Sequence, residues 1–181
     1  MSSTPEALLQ FWFAEIPESA WWEKNPAFDE ALRQRFGTCH AAATRGELFA
    51  WRDTIRGRLA EILLLDQLSR NLYRDRAEAF AWDGMALALS QEAVRGGQAP
   101  ALPPRERAFL YLPYMHSESP LIHAEAMQLF AEPGMEWNLD FERRHKAIID
   151  RFGRYPHRNA ILGRMSTPEE TAFLREPGSS F

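Results

Sequence analysis

An all-α fold, arranged as a single domain of stacked antiparallel helical hairpins, is what this sequence predicts. Three observations carry that expectation. Helix-start signals recur along the chain, glycines follow apolar periodic stretches as stops, and no run shows strand alternation between hairpin turns.

The first helix is expected over 5–15, where Thr4 precedes Pro5 and Glu6 as an N-cap before a first-turn proline. Asn25-Pro26 opens the second, 26–44, with Phe28, Leu32 and Phe36 on one face and Arg45-Gly46 as its stop. The third, 54–72, carries Ile55, Leu59, Ile62, Leu63, Leu64, Leu65 and Leu68, so it is apolar most of the way round and belongs at the centre. The fourth, 77–95, ends at Arg95-Gly96-Gly97; Gly84 inside it costs about 1 kcal/mol relative to Ala, which points to close helix packing there. Pro113 is expected to end the fifth, 104–112, and Ser119-Pro120 to start the sixth, 119–131. The seventh, 138–152, aligns Phe141, His145, Ile148, Ile149 and Phe152 and stops at Gly153. A short eighth, 157–163, follows Pro156. The ninth, 167–175, begins with a capping box in which Glu170 stands three residues after Thr167. Residues 176–181 read as a polar coil. Short connections favour antiparallel neighbours. An echo between 41–46 and 91–96 hints at stacked hairpins without amounting to a repeat.

Bulk properties narrow the function classes. A chain of 181 residues suits one domain, 1–181, able to bury roughly 70% of its unfolded surface. With 21 basic and 25 acidic residues, a sequence-independent grip on nucleic acid is not expected. The basic residues comprise nineteen Arg and two Lys; the Arg fork suits carboxylates and phosphates, although a GC-rich genome gives the same bias. Cys39 is the single cysteine, which fits a reducing compartment. The start, Met-Ser-Ser-Thr-Pro-Glu, lacks the regions of a signal peptide. Leu59–Leu68 falls far short of the ~20 residues of a membrane span. The chain is therefore read as cytoplasmic, with no membrane partner.

Three stretches can carry chemistry. Asp66 and Arg70, four apart, share a helix face with Arg74 beyond them; they read as a structural ion pair or as the floor of a pocket. His116, Ser117 and Glu118 fall on the turn between two prolines; His116 and Glu118 can shuttle a proton or bind a metal, or Ser117 or Glu118 can cap the next helix. The densest stretch joins His145 to Arg151, Arg154, His157, Arg158 and Asn159 around a helix break. It can converge on an anion, or pair with Asp66, Asp83, Glu118 or Asp150. Zinc ligation by His116, Glu118, His145 and His157 can be imagined, but the spacing does not demand it, and no metal is assigned. Walker, dinucleotide, HExxH and GxSxG motifs are absent.

These stretches occur in an ordered set: Phe11-Trp12-Phe13, Gly46-Glu47-Leu48 with Trp51, Asp66-Gln67 with Arg70-Asn71 and Arg74, and Phe80 with Asp83. The set continues through Phe109–Pro113, Met115–Glu118, His145, Arg151–Arg154, Pro156–Asn159, Gly163-Arg164 and Ser166–Glu170 with Phe173-Leu174. Over its full length the chain resembles the bacterial domain-of-unknown-function 924 family. The resemblance implies an all-α fold similar to tetratricopeptide-repeat hairpins and implies no activity. Leu68-Ser69 stand where the family has Phe-Pro, so the third helix is expected to continue further; His123 replaces a glutamine, and Pro120 a non-proline. The leading functional reading is a binding module whose Arg/His/Asp-lined cleft takes a small anionic ligand or an acidic peptide. The alternatives are a hydrolase using His116, Glu118, Asp66 and His157, and a set of polar motifs that serve only the fold.

Overall fold

The computed structural model describes residues 4–180; the first three residues of the segment read for a leader, and Phe181 of the expected tail coil, lie outside the described residues. Among the described residues all regular structure is helical: α1 Pro5–Gln10, α2 Pro26–Thr44, α3 Ile55–Leu63, α4 Ser69–Leu72, α5 Asp83–Arg95, α6 Pro104–Met115, α7 Pro120–Leu129, α8 Glu136–Phe152 and α9 Pro168–Phe173. No described helix is long and apolar enough to cross a membrane.

Local chemistry sets the helix starts. Thr4 Oγ1 accepts from the Ala7 N–H, and Asn25 Oδ1 accepts from Ala27 and Phe28. Thr167 and Glu170 cap each other's backbone N–H at α9. Gly153, at φ 67°, closes α8 in the left-handed conformation that an L side chain resists.

The apolar third helix is central, as its sequence requires. Leu59, Ile62, Leu63, Leu64, Leu65 and Leu68 are all buried, and α3 packs on α1, α5 and α6. Gly57 permits this placement: a Cβ there would lie 1.9 Å from the Trp51 carbonyl oxygen. Between α3 and α4 the helix widens into a π-helical turn, Leu64–Leu68, and then continues to Leu72. Such turns insert one residue into the register and are frequent at functional sites. Here the turn holds Asp66 and Gln67. Sequence neighbours pack on one another from α5 through α8, and α6 also contacts α8. A smaller apolar cluster of Ile148, Ile149, Tyr155 and Phe173 secures the C-terminal segment.

Four expectations need correction. The helix expected over 77–95 is a 3₁₀ turn, Ala77–Phe80, followed by α5 from Asp83. Pro113 does not end its helix; α6 runs on to Met115, because residues 108–115 are all buried and their packing outweighs the one N–H that proline lacks. The helix expected over 157–163 is only a 3₁₀ turn, Pro156–Arg158, from which the Arg158 side chain reaches back to Asp83 and Phe80. Gly84 marks no close packing, since a Cβ there would meet nothing within 4 Å.

Candidate functional site

The π-helical turn sets Asp66 just behind a cleft lined by its hydrogen-bond partners Gln67 and His116. Its carboxylate is 1% exposed; Oδ1 lies 2.6 Å from His116 Nδ1 and Oδ2 accepts from Gln67 Nε2 at 2.6 Å. Burial raises the carboxyl's pKa, but attraction to His116 and Arg70 and the hydrogen bonds outweigh it, holding the group well below the usual carboxylate range. His116 caps α6, the position reached because that helix passes through Pro113. With Nδ1 turned to Asp66, its Nε2 has no hydrogen-bond partner among the described residues.

Arg70 prefers Asp83 over Asp66. Its two terminal nitrogens reach the Asp83 oxygens at 2.8 and 3.0 Å, while Asp66 lies at 3.5 Å. Asp83 also receives Arg158, whose Nη1 is 3.4 Å from Oδ2. Two guanidiniums therefore share one carboxylate. Arg158 is 6% exposed and its buried Nε has no hydrogen-bond partner among the described residues. Its guanidinium lies 4.6 Å from the ring centroids of both Phe80 and Tyr155, which hold it in place without neutralising it. Burial and the like charge of Arg70 press its pKa down to about 10.

Beside these residues opens a cleft of about 700 Å³, lined among others by Arg70, Arg158, His116, Trp22, Trp137 and Phe141. A smaller pocket of about 310 Å³ lies beyond His116 and Arg158, walled by Asp83 and Glu118. Burial lowers His145 to about 3, against the opposing bond to the Phe141 carbonyl. Burial, then the charge of Arg158, lowers His157 to about 4. Both are neutral imidazoles at physiological pH.

The structure thus brings Asp66, Arg70, Arg74, His116, His145, His157 and Arg158 to one place, although Arg74 is held at the rim by a two-point pair with Asp29 at 2.8 and 2.9 Å. Four other candidates serve the C-terminal segment. Arg151 pairs with Glu169 at 2.9 Å on the surface. Arg154 closes on Glu170 at 2.6 and 2.8 Å and also reaches the Met165 carbonyl. Buried Asn159 bonds Ser166, Glu170 and Arg164. Glu118 does not cap α7; it accepts the Tyr155 N–H at 2.8 Å and a two-point contact from Arg164 at 2.6 and 2.8 Å. Among the described residues no three His, Cys, Asp or Glu side chains are grouped to hold a metal ion.

His123, the departure from the family's glutamine, lies outside the cleft. It is fully buried, with Nδ1 2.7 Å from Glu142 and Nε2 2.8 Å from the Ser117 carbonyl, tying α7 to α8. Sequence reasoning gave Asp83 as a partner for the arginines and, with Phe80, as part of the family resemblance, but assigned neither to a site, and it passed over Trp22 and Trp137. Trp137 could have been found from its spacing: it extends the Phe141–His145 stripe by one further turn of α8.

Comparison with known proteins agrees with the fold. A family model described as "Bacterial protein of unknown function (DUF924)" matches residues 8–178. The solved structure of a protein of unknown function from Agrobacterium tumefaciens superposes with a TM-score of 0.89 at 38% identity, covering 94% of this chain and 96% of that one. No curated protein matches.

Proposed function

The chain belongs to this DUF924 family of bacterial proteins, and we propose that its cleft is a binding site for a small organic anion, anchored by Arg158 with Arg70 beside it. One observation carries the reading: Arg158, almost fully buried, reaches Asp83 only at 3.4 Å while that carboxylate is already bonded by Arg70, and both guanidiniums line the open cleft. Buried charges are normally paired, because an uncompensated one is costly. A carboxylate or phosphate entering the cleft meets the two guanidiniums that line it, in a site where water screens the attraction poorly. The cleft volume lies within the range of small-molecule sites.

A thermal-shift screen against inorganic phosphate, phosphorylated metabolites and small carboxylates tests this directly. At a hundred times its dissociation constant a ligand stabilises the fold by about 2.7 kcal/mol, a shift of a few degrees. The shift is expected to vanish in Arg158→Ala. A ligand whose shift survives that substitution binds elsewhere, and the reading fails.

A second reading, acid–base chemistry on the bound anion, is favoured by one feature. Asp66 orients His116 at 2.6 Å and leaves Nε2 for the cleft, the arrangement in which an imidazole exchanges protons with a substrate. Glu118 takes no part, since Arg164 and the Tyr155 N–H occupy it. Turnover in a broad hydrolase substrate screen, lost in His116→Gln with binding retained, is the result this reading predicts.

A further inference from the structure

The cleft is cationic at its floor and aromatic toward its mouth, and a single helix face links the two. Trp137, Phe141 and His145 stand at successive four-residue steps on α8, so their side chains follow one line. Eight residues at 1.5 Å each span about 12 Å. Ring contacts run along that line in two segments: Trp22 to Trp137 at 5.7 Å and Trp137 to Phe141 at 4.3 Å, then His145 to Tyr155 at 5.8 Å with Tyr155 beneath the Arg158 guanidinium at 4.6 Å. The His145 Nδ1 contact with the Phe141 carbonyl joins the two halves. At the outer end Trp22 and Trp137 are 50% and 54% exposed, a large apolar surface left facing solvent beside a charged floor.

From this gradient we infer that the ligand is an amphipathic anion: a carboxylate or phosphate head seated at Arg158, carrying an aryl or acyl body that lies along α8 against Phe141, Trp137 and Trp22. This rests on the anion site proposed above and names the class of molecule it takes. A bare anion fills only the floor of a cleft of about 700 Å³. A body reaching the tryptophans withdraws their rings and its own surface from water, at roughly tenfold in affinity for each two methylenes seated. Neutral imidazoles at His145 and His157 suit this passage, since neither adds a charge between head and body.

Isothermal titration calorimetry with matched probes tests the inference: acetate, hexanoate and decanoate for acyl bodies, inorganic and 1-naphthyl phosphate for aryl ones, and decanol and 1-naphthol as neutral controls. Decanoate or 1-naphthyl phosphate is expected to bind at least about tenfold more tightly than acetate or inorganic phosphate, and the neutral controls not measurably. The probe series that shows the larger gain identifies the body as acyl or aryl. Trp137→Ala, a change at an exposed position that the fold tolerates, is expected to lower the long probe to the affinity of the short one. Equal affinity for short and long anions, or no effect of Trp137→Ala, overturns the amphipathic assignment while leaving the anion site standing. Binding of decanol as tight as decanoate, or no binding by any probe, removes both.

Discussion

Arg154 and Arg158 lie four residues apart in one loop, and their surroundings differ in how completely each charge is paired. Arg154 meets Glu170 through two short hydrogen bonds and spends a third on the Met165 carbonyl. Glu170 in turn accepts from the Thr167 N–H and from Asn159, so the clasp that fastens α9 is closed on itself. Arg158 is more deeply buried yet has a single 3.4 Å contact with a carboxylate that already serves Arg70. The clasp uses its charges against each other; the cleft floor leaves positive charge available at a cavity. Local charge density alone does not reveal a site. What does is the balance of partners around each charge.

Substitutions that invert this difference make the comparison breakable. The largest effect belongs to Asp83→Asn, which deprives both Arg70 and Arg158 of their shared carboxylate. Removing one side of a buried ionic contact costs about 3–5 kcal/mol, to be read from urea denaturation. Arg154→Ala strips Glu170 of two charge-assisted bonds but leaves it Thr167 and Asn159, so a clear but smaller loss than for Asp83→Asn is expected. Arg158→Met replaces an incompletely paired charge with an apolar chain of similar length, and stability is expected to change by less than about 1 kcal/mol or to rise. If Arg158→Met proves as costly as Arg154→Ala, the two arginines are alike and the contrast collapses.

Acid separates the regions by window. His145 and His157, near 3 and 4 in the folded chain, lie below the ~6.5 of an unfolded histidine. Between about pH 6.5 and 4 the unfolded chain therefore binds more protons, and stability drops as the pH is lowered, by up to about 1.4 kcal/mol per unit for each histidine. Glu170 acts lower. The Arg154 bonds hold it at about 2, so its contribution is full above ~4.5 and is lost as pH falls toward 2. His157→Asn is expected to flatten the upper limb of a stability–pH curve and Glu170→Gln the lower one.

The fold was legible wherever its causes are local. Thr4, Asn25 and Thr167 cap the next few N–H groups, and Gly153 supplies its own left-handed turn, so each could be read within a short window. Pro113 misled because burial of its whole segment, a tertiary fact, decided whether the helix continued. The site was half legible for the same reason. Asp66, Arg70 and His116 stand out by spacing and type, but nothing near Arg154 or Arg158 tells them apart. The partner of one lies sixteen residues along the chain, and that of the other seventy-five residues back.

The most direct test of this contrast is a calorimetric titration of 1-naphthyl phosphate into the wild-type protein, Arg158→Gln and Arg154→Gln, with folding of each confirmed by circular dichroism. The account predicts binding by the wild type and by Arg154→Gln, and at least about a hundredfold weaker binding by Arg158→Gln, the cost of losing a charged hydrogen-bonded anchor. Equal binding by all three, or loss in Arg154→Gln alone, would contradict it.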